Sequence, residues 1–154
     1  MVAGSRVDTF TEFVAVHESR LRESLMAACG GEVGREAAAE ALGYGWEHWD
    51  RVRHMENPVG YLYKVGRTKS RRALRRRRPL FDPVDGGRIP DVEPKLPAAL
   101  AALSERQRIV VVLVHGYGWT QSEVGDLLGL ARSSVRNHLE RAMASLRNAI
   151  GGAA

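Results

Sequence analysis

Residues 79–97, PLFDPVDGGRIPDVEPKLP, carry five of the six prolines and the Gly86–Gly87 pair. Proline removes a helix donor and fixes φ, and glycine raises the entropy of the chain, so the stretch reads as a linker. It divides 154 residues into two blocks, each of which must bury a small core of its own. Both blocks space their apolar residues for helices rather than strands. The expectation is an all-α chain of two small helical domains, over 8–78 and 98–150. A flexible joint over 79–97 connects them, with Asp82, Asp85, Asp91 and Glu93 against Arg88 and Lys95.

In the first block Phe10, Phe13, Val14, His17, Leu21, Leu25 and Ala28 recur at helical spacing behind Thr9 or Asp8 as N-cap. CGGEVG then reads as a break, and Arg35 to Trp49 as a second helix with Leu42, Trp46 and Trp49 as apolar anchors. RVRHMENP reads as a loop ending at Pro58, a residue that suits the first turn of a helix. The third helix opens with Leu62, Tyr63, Val65 and Gly66 and then turns basic: Lys64, Arg67, Lys69, Arg71, Arg72 and Arg75 to Arg78, with no acid. Such a helix repels itself unless phosphates neutralise it, and neutralising them releases counterions.

The second block resumes at Ala98 to Leu103 and continues from Ser104 to His115. Ser104 with Gln107, and Thr120 with Glu123, have the spacing of capping boxes. Val124, Leu127, Leu128, Leu130, Val135 and Leu139 supply the core of a helix-turn-helix, with Gly125 at the helix crossing and Gly129 at the turn. The second helix starts near Ala131 and presents Arg132, Ser133, Ser134, Arg136, Asn137 and His138, then Arg141 a turn further on. A recognition helix offers its N-terminal residues to base edges in the major groove. Arginine pairs with guanine, asparagine with adenine, and serines reach phosphates.

The formal charge of +5, carried almost wholly by arginine, fits a polyanionic partner, because the guanidinium fork binds phosphate bidentately. A lone cysteine, Cys29, permits no internal disulfide and no cysteine-based metal cluster, and reads as a small core residue. The five histidines are scattered without ligand spacing, and no nucleophile setting appears, so neither catalysis nor a metal or other cofactor is expected. No apolar run approaches a membrane span and the N-terminus lacks a secretory h-region, which makes the expected location cytoplasmic.

Leu96 to Arg147 resembles region 4 of bacterial sigma factors, in particular the small extracytoplasmic-function type. The resemblance rests on Leu96-Pro97, Arg106-Gln107-Arg108, the aromatic-glycine turn Tyr117 to Trp119, the helix-turn-helix, and a closing Arg141-Ala142 through Leu146-Arg147. Region 2 is similar over Gly34 to Leu42 and the Trp46/Trp49 pair, and over YLYKVGRTKSRRALRRRR. Ala39 stands for the usual glutamine, Arg35 for an acid, Thr68 for asparagine and Arg72 for aspartate, while Lys69 and Arg71 hold positions that are often apolar.

The resemblance implies core RNA polymerase and promoter DNA as partners, with an anti-sigma factor as a candidate third. It implies polymerase contacts at Glu36, Glu40 and Trp46, and −35 readout from Arg132 to Arg141. It also implies a flipped-base pocket from Arg53, His54, Met55 and Asn57 with Tyr61 below. Lys64, Arg67, Lys69, Arg71, Arg72 and Arg75 would follow the DNA backbone. Two other readings stay open: a sigma-derived regulator that binds DNA but not polymerase, and an adaptor whose main partner is a protein.

Overall fold

The computed structural model describes residues 9–76 and 94–151. Most of the expected linker, 79–93, lies outside the described residues, as do Arg77, Arg78 and the side chain of Arg75.

Helix α1 (Phe10–Cys29) is capped by Thr9, whose side chain accepts from the Glu12 amide, and it ends at Gly30 with φ 90°. Helix α2 (Gly31–Glu47) begins directly after it, with no intervening loop. The expected break over CGGEVG is therefore a single residue, and α2 begins four residues before Arg35. The cause is packing: a Cβ at Gly34 would collide with the backbone of Leu25 and Met26, so this glycine lets α1 and α2 touch. Helix α2 stops at Glu47, short of the expected Trp49, and a further short turn, α3 (Trp49–Val52), takes in Arg51 and Val52 from the expected loop, with Val52 fully buried.

Helix α4 (Pro58–Arg76) completes the first bundle. Asn57 starts it by accepting the Gly60 amide at 3.1 Å. Its inner face is Leu62, Tyr63, Gly66 and Ser70, packed over Leu21, Leu25, Ala37 and Ala41. Trp49 wedges between Phe10 and Phe13, with centroids 5.5 and 5.1 Å away, as an apolar anchor should. Trp46 does not: its side chain is 66% exposed and only edges onto Phe10.

The second domain comprises α5 (Leu96–Ala102), α6 (Glu105–Val111), α7 (Gln121–Leu128) and α8 (Arg132–Gly151). Both expected capping boxes form, Ser104 with Gln107 and Thr120 with Glu123. Helix α6 does not run unchanged to His115; it widens into a π-helical turn over Val112–Gly116. Helix α8 packs on α5, α6 and α7, and its Val135, Leu139, Ala142 and Leu146 close the core over Val110, Leu113 and Val124.

The two domains are docked. Helix α1 meets α6 and the π-turn, and α4 meets α7. Arg67 of α4 pairs with Glu105 of α6, and Arg20 of α1 with Glu123 of α7. The Trp119 indole donates to Glu23 at 2.9 Å, while Arg20 lies 4.6 Å over the same ring. Asn57 donates to the Asp126 carbonyl at 2.6 Å.

Placing a valine at Gly34 should cost roughly 1–3 kcal/mol, the range for overpacking a close contact. A fall in the urea midpoint with an unchanged slope is the expected reading, and an unaltered midpoint would mean that α1 and α2 do not need glycine at their crossing.

Candidate nucleic-acid interface

The helix-turn-helix is set by two glycines with different tasks. Gly129 takes the left-handed conformation, φ 69°, that ends α7, a geometry glycine adopts without steric cost. Gly125 stands where a Cβ would come within 2.7 Å of the Leu130 carbonyl oxygen. Together they turn the chain sharply enough for Val135 to reach Val124, both fully buried. Helix α8 then starts with the Ser134 and Val135 amides bonded to the Ala131 carbonyl.

This geometry leaves Arg132, Ser133, Arg136, Asn137 and Arg141 exposed, with Ser134 and His138 half-buried. The sequence-expected readers thus share one surface. A cleft of about 440 Å³ runs between the starts of α7 and α8, lined by Gln121, Arg132, Ser133 and Arg136. Gln121 was missed from the sequence; its place directly after the Thr120 cap was the available signal. Arg136 pairs with Glu140 one turn on, at 3.2 Å, but both are largely exposed, so a phosphate or guanine can displace this weak contact.

The cations of α4 divide into two groups. Lys64, Lys69, Arg71 and Arg72 are exposed, whereas Arg67 is only 7% exposed. Arg67 donates to Cys29 Sγ at 3.3 Å and Ser70 Oγ at 3.1 Å as well as to Glu105. Burial works to lower its pKa, but the Cys29 sulfur and the Glu105 carboxylate more than offset this and hold it above the ordinary arginine value. In the docked form Arg67 is a seam residue rather than part of the exposed basic face.

Tyr61, Lys64, Lys69 and Arg72 come together with Tyr44, Val65 and Thr68 around a groove of about 350 Å³ between α2 and α4. The Tyr44 and Tyr61 hydroxyls lie 3.1 Å apart, Arg51 donates to both, and Lys69 stands 6.0 Å from the Tyr44 ring. Aromatic walls under a cationic rim are what an unpaired base and its phosphate need. Tyr44 and Arg51 were not legible as site residues, since they become neighbours of Tyr61 only through the α2–α4 packing. Of the loop residues, Arg53 and His54 are exposed and bonded to each other at 3.2 Å, and Met55 is half-buried. Asn57 is committed to the α4 start and to Asp126.

Glu36, Glu40 and Trp46 are exposed on α2. Glu32 and Glu47, both exposed, extend the acids at intervals of four, four and seven residues, one stripe along a helix. Among the described residues no three metal-ligating side chains converge, and no helix is long and apolar enough to cross a membrane.

The class is thus a helix-turn-helix domain docked against a second, basic helical domain. Residues 99–148 match the family model for sigma-70, region 4. Nothing among curated protein sequences matches the chain. Among solved structures, the fold is similar to that of the sigma factor RpoE from Bartonella quintana, determined in complex with the anti-sigma factor NepR. The TM-score is 0.65 at 16% identity, covering 96% of this chain and all of that one. CnrH, determined in complex with the cytosolic domain of CnrY, gives a TM-score of 0.58 at 19% identity over 94% of this chain and 89% of that one. The C-terminal domain thus matches sigma-70 region 4 over residues 99–148, and the fold of the whole chain is similar to that of these two proteins.

Replacing Glu105 by alanine strands the buried Arg67 guanidinium, so the domains should separate, read as an increased radius of gyration in small-angle scattering. An unchanged radius would show that the other contacts hold the seam alone. Burial lowers the pKa of His17 below 6.5; burial, then Arg106 and Arg141, do the same for His138. The unfolded chain therefore takes up these protons first as pH falls, and stability present above pH 6.5 is lost below it. The urea midpoint should drop from pH 7 to 5.5, and the paired substitutions His17→Gln and His138→Gln should flatten that slope.

Proposed function

We propose that the protein is an alternative sigma factor of the extracytoplasmic-function type: a cytoplasmic specificity subunit, with no chemistry of its own, that brings core RNA polymerase to promoters. The observation that carries this is the pairing of a region 4 helix-turn-helix with a second, basic domain in one sigma-factor fold. Two DNA-facing units on one chain can hold two promoter elements at once, and the joint between them supplies effective concentration.

The start of α8 reads the −35 element, with Arg132, Arg136 and Asn137 toward base edges and Ser133, Ser134, His138 and Arg141 beside them. The α2–α4 groove receives the −10 strand: Tyr44 and Tyr61 offer stacking surfaces, and Lys64, Lys69, Arg71 and Arg72 meet the backbone, with Arg75 next along α4. Arg53, His54 and Met55 stand at the mouth. Asn57 and Arg67 join this surface only when the domains part, because each now holds the other domain. The stripe Glu32, Glu36, Glu40 and Glu47, with Trp46 beside it, supplies an acidic face and an apolar anchor for a basic helical surface of the polymerase. RpoE and CnrH were each solved with a protein bound, which supports an anti-sigma-type partner here as well.

Run-off transcription with core polymerase, alongside a polymerase pull-down, tests this reading. Core binding with promoter-specific transcripts is expected. Reversing charge at Glu36 and Glu40 should abolish the pull-down while leaving the circular dichroism unchanged. Arg136→Ala should relax −35 choice, each lost base contact costing about 1–3 kcal/mol of discrimination. DNA binding without core binding would instead make the protein a sigma-derived regulator.

A further inference from the structure

The docked seam does not close completely. Where α4, α6 and α7 meet it leaves a half-open cavity of about 480 Å³, within the size range of small-molecule sites. One wall is α4, contributing Lys64, Arg67 and Arg71; the opposite wall is Glu105 and Arg106 of α6 with Leu127 of α7. Four cations therefore face one carboxylate, and that carboxylate is already bonded to Arg67. Lys64, Arg71 and Arg106 are exposed, and none of the ion pairs found among the described residues involves them. On its far side Arg106 is also felt by His138, beside Arg141, so the local potential is positive in both directions.

Like charges around a concave, partly apolar space focus the field and repel one another, and an anion relieves both. The two arginines present planar forks suited to phosphate, and Lys64 adds a point charge. The α6–α7 wall also has an apolar part: Ile109 and Leu127 line the cavity and are 3% and 6% exposed. A purely inorganic anion would leave that wall wet. An anion carrying a flat organic group covers it.

We propose that this cavity binds a small phosphate-bearing ligand of the nucleoside diphosphate class, its phosphates held by Lys64, Arg71 and Arg106 and its ring laid on Ile109 and Leu127. Nucleic acid is the other source of phosphate, but a duplex has no room between two docked domains, and in a separated form Arg106 leaves the α4 cations. Because the walls belong to different domains, the ligand binds only the docked form and stabilises it by mass action. It thereby withholds Lys64 and Arg71 from DNA. This site goes beyond the promoter reading: ADP binding is independent of it, and only the effect on DNA rests on it.

The test is calorimetric titration of the full chain with ADP, inorganic pyrophosphate and adenosine. ADP should bind more tightly than pyrophosphate, and adenosine should not bind at millimolar concentration. Arg71→Gln and Arg106→Gln, one from each wall, should each weaken ADP at least tenfold while the urea midpoint stays in place. Saturating ADP should lower affinity for a promoter duplex and keep the radius of gyration small. Absent ADP binding at millimolar concentration overturns the proposal, and so does binding that ignores Arg106→Gln. If a single-stranded oligonucleotide binds through all three cations and ADP does not compete, the cavity is a nucleic-acid site and the proposal fails.

Discussion

A guanidinium that is 7% exposed governs how this molecule is put together. Arg67 cannot lose its charge, and a buried charge is tolerated only with partners in good geometry. Cys29 and Ser70 satisfy part of its fork from within the first bundle, and the acidic partner comes from the other domain. The first bundle is thus electrostatically incomplete alone. Docking supplies the missing carboxylate, and separation demands a substitute, for which water or a phosphate oxygen would serve. One donor can therefore answer to a carboxylate in one state and to another oxygen in the other.

The rest of the seam obeys the same logic. Asn57 ties to a backbone carbonyl, Trp119 to Glu23 and Arg20 to Glu123. These are polar contacts with half-exposed members, weak enough singly to be exchanged for water. An interface of this kind resembles a transient complex more than a core, which suits two domains able to part.

The parts legible in the sequence were those set by neighbours in the chain. Caps at Thr9, Ser104 and Thr120 formed because each needs only residues within three positions, and Gly129 turned where a left-handed residue was required. The grouping of Arg132 to Arg141 on one surface came from helical periodicity. Long-range pairing was not legible: no local signal tells Arg67 from Arg71, yet one is buried and the other exposed. The glycines of 30–34 misled for a related reason. Three of the five residues after Cys29 are glycine, and only the tertiary contact at Gly34 explains why all but Gly30 are helical. Tyr44 joined the candidate site in the same way, through packing that brings its hydroxyl to Tyr61.

The π-turn over Val112–Gly116 bears on how such a domain can change. A π-turn holds one residue more than the α-helical turn it replaces, and each residue of an α-helix advances the chain by about 100°. Here that surplus residue sits just before Trp119, whose indole must face α1 to meet Glu23 and Arg20. Loss of any one residue from this turn would let α6 continue as regular helix, out of phase with Trp119 and α7. The helix-turn-helix could still fold, since α7 and α8 carry their own caps and glycines. Its bearing on the first domain would be lost, so the phase of a single helical turn separates a domain that docks from one that merely hangs alongside.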